Sequence, residues 1–427
     1  MKKTLNTEEK IWDTAVIGGG PAGMMSAGRA AELGAKVILI EKNQRLGEKL
    51  LITGGGRCNV TNAEFDNRAL LSKFKSDGKF LFSAFSEWSV KETLNFFHIN
   101  KMGTKVENEK RVFPITNKAQ SVWDVLVKYM KENNVNVLSN SPVASFNLND
   151  SENKIDSVIL KNGKRIRAKS FILATGGKSR PETGSTGEGF MWLQKIGHKI
   201  IEPTASLVPL SITQKWVKNL SGVTLPEIKI TLLQNGEKQN IKKGKILFTH
   251  FGVTGPTILN MSRDASELLK YGEVILELDL LPTFDYSELN LRLQELFKNQ
   301  SNKKLKNALS ELIPSSLVKI IVEKSEIDPD RFNHSVSREE RLKLVKILKH
   351  LQMNVKGLLG EDKAIVTSGG VDLSEVDFKT MQSRLFSNLY LVGDILNIDR
   401  PSGGYSLQLC WTTGFVAGNN VKNDTHS

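Results

Sequence analysis

Cysteine is nearly absent from this chain of 427 residues, which contains only Cys58 and Cys410. Two cysteines cannot build a disulfide framework, so a reducing cytoplasm is the expected compartment. Long apolar runs are also missing, because no stretch approaches the roughly 18 apolar residues that a membrane span needs. The opening segment MKKTLNTEEKIWD lacks the apolar region of a secretory signal. The sequence therefore predicts a cytoplasmic protein of two or three domains with no membrane contact.

Motifs of several enzyme classes are missing as well. The six histidines are scattered and the cysteines lack metal-ligand spacing, so no metal site is expected. The chain has no P-loop, since GGGRCN lacks the G-K-[ST] ending, and no G-x-S-x-G elbow. These absences exclude the corresponding ATPase and hydrolase chemistry.

The most informative segment is TAVIGGGPAGMMSAGRAAELGAKVILIEK, residues 14–42. It predicts a short strand, a helix that stops at Gly34 and a second strand. Gly18, Gly20 and Gly23 have the G-x-G-x-x-G spacing of a dinucleotide-binding turn. Such a turn needs a tight bend, close approach to a pyrophosphate and close helix–strand packing.

Residues around this turn complete a nucleotide half-site. The helix that begins at Pro21 and Ala22 would present free N–H groups to phosphates. Glu41 lies 18 residues after Gly23, where a carboxylate meets ribose hydroxyls, and Lys42 follows it. Because an acid disfavours a 2′-phosphate, the expected nucleotide is FAD or NAD.

A motif near the C-terminus favours FAD. The segment NLYLVGDILNIDRPSGGYSLQ predicts a strand, the pair Gly393 and Asp394, a glycine turn and a helix. It resembles the closing motif of glutathione-reductase-type flavoproteins, which implies that Asp394 binds the ribityl chain of FAD. The helix opening at Gly403, Gly404 and Tyr405 would direct N–H groups at the flavin pyrimidine ring.

A mid-chain motif supports the same assignment. FILATGG, residues 171–177, resembles the ATG motif of that superfamily and adds Ala174, Thr175 and Gly176 to the expected site. No second dinucleotide fingerprint occurs. NADH or NADPH would therefore bind only transiently, as electron donor to FAD.

The loop LLITGGGRCNVTN, residues 50–62, is predicted to clamp the cofactor. Gly54, Gly55 and Gly56 allow the backbone to lie against a ligand. Arg57 would lie near the pyrophosphate or the flavin, and Asn59 and Thr61 would brace the turn.

The whole chain resembles the BaiN/RdsA-type flavoproteins, a family of NAD(P)H- and FAD-linked oxidoreductases. The resemblance rests on VIGGGPAGMMSA, GEKLLITGGGRCNVTN, FILATGGKSRPETGSTGEGF, ILFTHFGVTGPTIL, IVTSGGVDLSEVD and RPSGGYSLQLCWTTGFVAGN. It implies an α/β fold with a Rossmann-like, glutathione-reductase-type FAD-binding domain. An antiparallel β domain and a small helical domain would be inserted into it.

Residue patterns give the same organisation. The FAD-binding domain is expected at 1–204 and 371–427. Alternating runs predict the β domain at 205–282, completed by about 353–370. Amphipathic spacing predicts the helical insert at 283–352.

Basic stretches occur in the inserted segments. The chain carries a formal charge of +13, and residues 211–245 hold seven lysines against two glutamates. This pattern suits a polyanionic partner such as ribosomal RNA, although solvated surface lysines remain the alternative.

Two residues are candidates for catalysis. Cys58 could donate a proton beside the flavin, with Arg57 tuning its pKa, or it could be a buried structural cysteine. His250, in LFTHFGVTGP, could orient a substrate or be structural. TGSTGEGF, residues 183–190, is either a turn beside the cofactor or a simple helix cap.

Three functions follow from the resemblance. The first is reduction of a ribosomal-RNA uridine to dihydrouridine, with hydride reaching uracil C6 and a protein acid protonating C5. This reaction needs an unstacked base, which basic appended domains would help to bind. The second is a small-molecule flavin reductase or oxidase acting on an enone, a steroid-like compound or an aminoketone. The third is a non-enzymatic RNA-binding factor that contains FAD.

Overall fold

The computed structural model describes residues 10–149, 151, 153–359 and 366–421. The chain divides into two compact units. The first comprises residues up to 205 and from 365 onward, and the second comprises residues 206–364.

The strands of the two units are numbered together along the chain. They are β1 (Ile11–Ile17), β2 (Val37–Ile40), β3 (Thr61–Asn62), β4 (Thr104–Glu107), β5 (Arg111–Pro114), β6 (Asn136–Leu138), β7 (Val143–Asn149), β8 (Lys154–Leu160), β9 (Arg165–Leu173), β10 (Ile200–Ser206), β11 (Leu210–Ile212), β12 (Thr224–Gln234), β13 (Glu237–Thr249), β14 (Gly252–Thr254), β15 (Val274–Asp279), β16 (Leu351–Leu358), β17 (Val366–Val371) and β18 (Leu389–Leu391).

The α-helices are numbered in the same way. They are α1 (Pro21–Glu32), α2 (Glu48–Ile52), α3 (Asn67–Ser72), α4 (Gly78–Glu87), α5 (Val90–Ile99), α6 (Ala119–Glu132), α7 (Glu188–Lys195), α8 (Pro256–Leu269), α9 (Tyr286–Asn299), α10 (Leu305–Leu309), α11 (Ser315–Ser325), α12 (Arg338–Lys349) and α13 (Tyr405–Asn420). Among the described residues, none of these helices has the length and apolar character needed to cross a bilayer.

A seven-stranded sheet forms the centre of the first unit. Its order is β6–β2–β1–β9–β8–β7, and β18 pairs with β9 as well. Strands β6, β2, β1, β9 and β18 are parallel to one another, whereas the pairings β9–β8 and β8–β7 are antiparallel. The predicted Rossmann-like fold is confirmed. Parallel strands end at one edge of a sheet, so the loops after β1, β2, β9 and β18 converge there.

Helices α1 and α13 lie against each other beside this edge. A Cβ placed on Gly414 would be 2.6 Å from the carbonyl oxygen of Ala22, so the two backbones approach very closely. This contact places the middle of α13 against the N-terminal turn of α1. Two chain segments almost 400 residues apart in sequence therefore share one site.

The second unit contains a closed barrel with strand order β11–β14–β13–β12–β15–β16. All of its pairings are antiparallel, and helices α9 to α12 share a hydrophobic core with the strands. The predicted antiparallel strands and helical insert are therefore present. Helix α8, which begins at Pro256 after Gly255, was not predicted within the strand region.

The segment 353–370 was expected to complete the β domain. In the structure β16 closes the barrel, and β17 pairs with β10 in a separate two-stranded sheet. Residues 360–365, between these two strands, lie outside the described residues.

Candidate functional site

The glycine turn between β1 and α1 has two kinds of glycine. Gly18 has φ +103°, and a Cβ there would lie 2.5 Å from the carbonyl oxygen of Ala174, so this position requires glycine. Gly20 is the N-cap of α1, and a Cβ there would meet no atom within 4 Å. Gly20 therefore borders open space, beside the free N–H groups of the first helical turn.

That open space is a cleft at the carboxyl edge of the sheet. Residues from the loops after β1, β2, β9 and β18 line it. Eleven of the predicted cofactor-binding residues are among them: Gly18, Gly20, Pro21, Ala22, Glu41, Lys42, Ala174, Thr175, Gly176, Gly393 and Asp394.

Other predicted residues do not line the cleft. Gly23 packs behind it, where a Cβ would be 1.9 Å from the carbonyl oxygen of Gly18. The others outside the lining are Gly54, Gly55, Gly56, Arg57, Cys58, Asn59, His250, Gly403, Gly404 and Tyr405.

Glu41 is held rigidly at the end of β2. Its two carboxylate oxygens accept hydrogen bonds from the backbone N–H groups of Gly19 at 2.7 Å and Asn43 at 2.8 Å. Burial raises the pKa of Glu41, and these two N–H donors oppose that effect. Each oxygen keeps a further acceptor position for a hydroxyl group, because an ionised carboxylate has about four lone-pair sites.

Asp394 belongs to a cluster of charges at the opposite wall of the cleft. Burial opposes its ionisation, but Arg400 and Lys49 outweigh burial and hold the pKa of Asp394 below its ordinary value. The buried guanidinium of Arg400 donates to Asp394, to the Ile398 carbonyl at 2.6 Å and to Ser406 Oγ at 3.0 Å. Asp394 is therefore an ionised acceptor at the cleft surface.

Lys49 contributes a cation to the same wall. Its Nζ donates to Ser179 Oγ at 2.7 Å and lies 3.6 Å from Asp394 Oδ2. Lys49 lines the cleft. This residue lies in the segment GEKLLITGGGRCN, but sequence reasoning had no signal that separated it from the other lysines.

The turn 183–187 and the start of α7 form a third wall. Lys42 Nζ donates to Thr186 Oγ1 and Glu188 Oε2, both at 2.7 Å. Gly184 and Gly187 both have positive φ angles and line the cleft. The turn therefore lies beside the cleft, and Gly187 is the N-cap residue of α7. The position of TGSTGEGF beside a cofactor stays a prediction.

A family profile described as "HI0933-like protein Rossmann domain" matches residues 12–420. The chain belongs to the HI0933-like family. Its fold is the FAD-binding Rossmann-like α/β fold.

Similar proteins of known name cover nearly the whole chain. "Ribosomal RNA dihydrouridine synthase" of Haemophilus influenzae is 29% identical over 412 residues, 95% of this chain and 97% of that protein. The protein of the same name from Escherichia coli is also 29% identical, over 95% of this chain and 96% of its own length. "3-dehydro-bile acid delta(4,6)-reductase" of Clostridium scindens is 28% identical, over 94% of this chain and 97% of that protein. The HI0933-like chain thus has oxidoreductases as relatives.

Two solved structures show the same fold at low sequence identity. A flavocytochrome c3 fumarate reductase superposes with a TM-score of 0.53 at 17% identity, covering 96% of this chain and 78% of that one. A 3-ketosteroid-delta4-(5alpha)-dehydrogenase from Rhodococcus jostii superposes with a TM-score of 0.53 at 14% identity, covering 98% of this chain and 99% of that one.

The cleft of this HI0933-like chain fits FAD on the basis of its own residues. Gly20 leaves room for close approach to a helix N-terminus, and Glu41 offers acceptor positions for hydroxyls. Thr175 lines the cleft, and its buried hydroxyl has no partner among the described residues. Buried polar atoms in native proteins are nearly always hydrogen-bonded, so this hydroxyl is available to a bound group.

The glycine loop 53–58 lies at one end of this site. Thr53 lines the cleft, whereas Gly54, Gly55 and Gly56 are exposed and have positive φ angles. Arg57 lies over the Phe113 ring at 4.1 Å and donates to Asn117 Oδ1 at 2.7 Å. It also pairs with Glu107. The role of the three glycines and Arg57 as a cofactor clamp stays a prediction.

The loop and the C-terminal glycine motif are joined directly. Thr61 Oγ1 hydrogen-bonds Gln408 Oε1 at 2.6 Å. A Cβ on Gly404 would lie 2.3 Å from the carbonyl carbon of Thr61. Gly403 and Gly404 thus pack on β3, and Ser406, Leu407 and Cys410 of α13 line the cleft. Thr61 therefore bonds a side chain of α13 and not, as was predicted, the backbone of its own turn. The buried Oδ1 of Asn59 has no hydrogen-bond partner among the described residues, so the predicted bracing of the turn is not seen there.

The two candidate catalytic residues have different surroundings. Cys58 is fully buried with φ +61°, and burial raises the pKa of its thiol to about 12. These surroundings weigh against proton donation, because such a thiol holds its proton tightly. His250 is exposed in the turn between β13 and β14, with its ring edge-on to Phe251 at 4.9 Å. Catalytic roles for both residues stay predictions.

Proposed function

We propose that this chain is an FAD-dependent reductase that uses NADH or NADPH to convert a uridine of ribosomal RNA to dihydrouridine. The observation that carries this proposal is the near full-length similarity to two proteins named ribosomal RNA dihydrouridine synthase. The identity of 29% is spread over at least 95% of this chain, so it includes both compact units.

The cleft residues would hold FAD in the order that the sequence motifs suggest. Glu41 would accept the hydroxyls of the adenosine ribose, and the first turn of α1 after Gly20 would bind the pyrophosphate. Asp394, kept ionised by Arg400 and Lys49, would accept the ribityl hydroxyls. The N-terminal turn of α13, with Ser406 and Leu407 at the cleft, would lie near the flavin ring.

The reaction adds one hydride and one proton to the C5=C6 bond of uracil, while NAD(P)H becomes NAD(P)⁺. Bound FAD, once reduced by NADH or NADPH, would supply hydride to C6. The protein would orient the uracil and supply a proton to C5. Cys58 is buried away from the cleft lining and its pKa is raised, so its surroundings favour the structural role over that of the acid. General acid catalysis by a side chain contributes about 10²–10⁴-fold, so substitution of the true donor has a large effect.

A second function, reduction of an enone in a small molecule, is favoured by a specific observation. The relative named 3-dehydro-bile acid delta(4,6)-reductase is 28% identical over 94% of this chain, close to the values for the RNA enzymes. The chemistry is related, since uracil and an enone both contain a C=C bond conjugated to a carbonyl group.

Gene deletion separates the two functions. Ribosomal RNA from the deletion strain would be digested to nucleosides and compared with wild-type RNA by mass spectrometry. Loss of one dihydrouridine, restored by the wild-type gene but not by a Gly20→Val gene, supports the proposal. An unchanged dihydrouridine content would rule out the RNA reaction and leave the enone reductase.

A further inference from the structure

A group of lysines in the second unit is free of ion pairs. It comprises Lys215 and Lys218 on the 3-10 helix Lys215–Leu220, Lys229 on β12, and Lys238, Lys242, Lys243 and Lys245 on β13. Lys229 is half-buried and the other six are exposed. Within the described part of the chain, none of the seven pairs with a carboxylate. This group is called the lysine surface below.

Some other lysines of the same unit have carboxylate partners. Lys270 pairs with Glu267, and Lys343 pairs with Glu326. Lys304 and Lys306 share Asp330. Since Lys298 and Lys319 also lack ion pairs among the described residues, the lysine surface is distinguished by its density of lysines, seven against two glutamates in residues 211–245.

Strand register brings like charges together on the lysine surface. Lys229 and Lys243 are directly opposite each other in the antiparallel pair β12–β13, so their side chains share a face. Lys245 lies two residues from Lys243 and shares that face. Directly opposed like charges destabilise a sheet. Asp279, opposite Lys229 on β15, forms its ion pair with Lys349 at 2.7 Å.

We propose that the lysine surface binds the phosphate backbone of RNA. This inference rests on the proposed function, because a ribosomal-RNA substrate supplies the partner. Phosphates would neutralise the opposed lysines and release counterions, which makes binding favourable and strongly salt-dependent. The contact would be independent of sequence, as phosphate contacts position a nucleic acid without reading its bases.

The geometry favours RNA over a lipid surface. Membrane-surface binding by a basic segment needs an apolar face of several large side chains next to the charges. Among the β12 and β13 residues that the structure describes, Ile241 is the exposed large apolar side chain. A single isoleucine does not provide such a face.

The test compares three variants of the full-length, FAD-loaded protein. Lys229, Lys243 and Lys245, which share one face of the β12–β13 pair, are replaced together by glutamine, which removes the charge and keeps most of the side-chain length. The same three residues are replaced by arginine in a second variant, which keeps the charge. The control variant replaces Lys79, Lys91 and Lys195 by glutamine, because these are exposed lysines on helices of the first unit.

Binding to protein-free ribosomal RNA is measured at several salt concentrations. Each lost phosphate contact makes the slope of log K against log salt less negative by about 0.7–0.9. The slope of the triple glutamine variant should therefore be less negative than that of the wild type by about 2–3. At 0.1 M salt this corresponds to roughly 100-fold weaker binding. The arginine and control variants should bind like the wild type. The melting temperature of the glutamine variant should be no lower than that of the wild type, because it loses a repulsion between opposed lysines.

The outcomes separate this inference from the proposed function. An unchanged slope for the glutamine variant overturns the proposal that the lysine surface binds RNA phosphates, even if the wild type forms dihydrouridine. A reduced slope supports the surface, and absence of dihydrouridine would then count against the reaction alone. Tighter binding of the wild type to anionic lipid vesicles or polyglutamate than to RNA also overturns the inference.

Discussion

Two glycines of one turn should respond oppositely to the addition of a single methyl group. Gly18→Ala places a Cβ 2.5 Å from the Ala174 carbonyl oxygen at a φ of +103°. Gly20→Ala places a Cβ in open space beside the first turn of α1, at a backbone conformation that alanine adopts readily. The first change should damage folding, and the second should damage FAD binding alone.

The two substitutions should differ widely in their effects on folding stability and on FAD affinity. Left-handed backbone costs alanine about 1–2 kcal/mol, and forced overpacking adds about 1–3 kcal/mol, so Gly18→Ala should destabilise by roughly 2–5 kcal/mol. At Gly20 the loss of N-cap preference costs less than about 1 kcal/mol, and reduced entropy of the unfolded chain offsets about 0.4–1 kcal/mol. A displaced pyrophosphate loses a charge-assisted hydrogen bond of about 1.5–3 kcal/mol, or roughly 10- to 150-fold in FAD affinity.

Thermal unfolding of the apoprotein and fluorescence titration with FAD measure the two effects. The melting temperature of Gly18→Ala should fall by roughly 4–20 °C, while that of Gly20→Ala stays near wild type. The assignment of Gly20 to the pyrophosphate is refuted if Gly20→Ala binds FAD within twofold of wild type. It is equally refuted if Gly20→Ala melts as early as Gly18→Ala.

Three further predictions concern charges and the buried thiol. Arg400→Met should lower the free energy of unfolding in urea by about 1.5–3 kcal/mol, because Asp394 at the cleft surface loses the hydrogen bond from Arg400 and keeps Lys49 as a nearby cation. Adding Asp394→Asn should recover part of this loss, and additive losses would contradict the pairing. Cys58→Ala should keep turnover within a few-fold if the thiol is structural, as its burial favours, whereas loss of about 10²–10⁴-fold would establish it as the acid. The salt bridge to Lys199 at 2.6 Å and the bonds to Ser374 lower the pKa of Asp372 to about 2 from an ordinary 3.8. Its contribution to stability is therefore complete above about pH 4 and is lost as the pH falls toward 2; acid titration of Asp372→Asn should show a shallower decline, and an identical acid profile would disprove this contribution.

Local patterns in the sequence predicted much of the FAD cleft. The positions of Gly18, Gly20 and Glu41 follow from a strand–turn–helix–strand unit whose geometry is set within 30 residues. Asp394 was predicted from the resemblance of its Gly-Asp pair to the closing motif of glutathione-reductase-type flavoproteins, and the pair follows β18 at the carboxyl edge of the sheet. Helix α8 was missed even though Pro256 after Gly255 is a helix start signal, since the neighbouring alternation favoured strands.

Contacts between distant segments could not be predicted. The ion pair of Lys49 with Asp394 joins residues that are far apart in sequence, and Thr61 bonds Gln408 across 347 positions. Cys410 reaches the cleft because α13 packs closely on α1. Such contacts depend on helix and strand packing, which composition and periodicity do not encode locally.

Reconstitution of the reaction tests the central claim most directly. The purified, FAD-loaded protein would be incubated with NADH or NADPH and with ribosomal RNA from the deletion strain, and nucleosides would be analysed by mass spectrometry. The account predicts that one uridine gains two hydrogens, only when both the protein and a reduced nicotinamide are present. Reduction of the bound flavin by NADH or NADPH without any dihydrouridine in the RNA would contradict it.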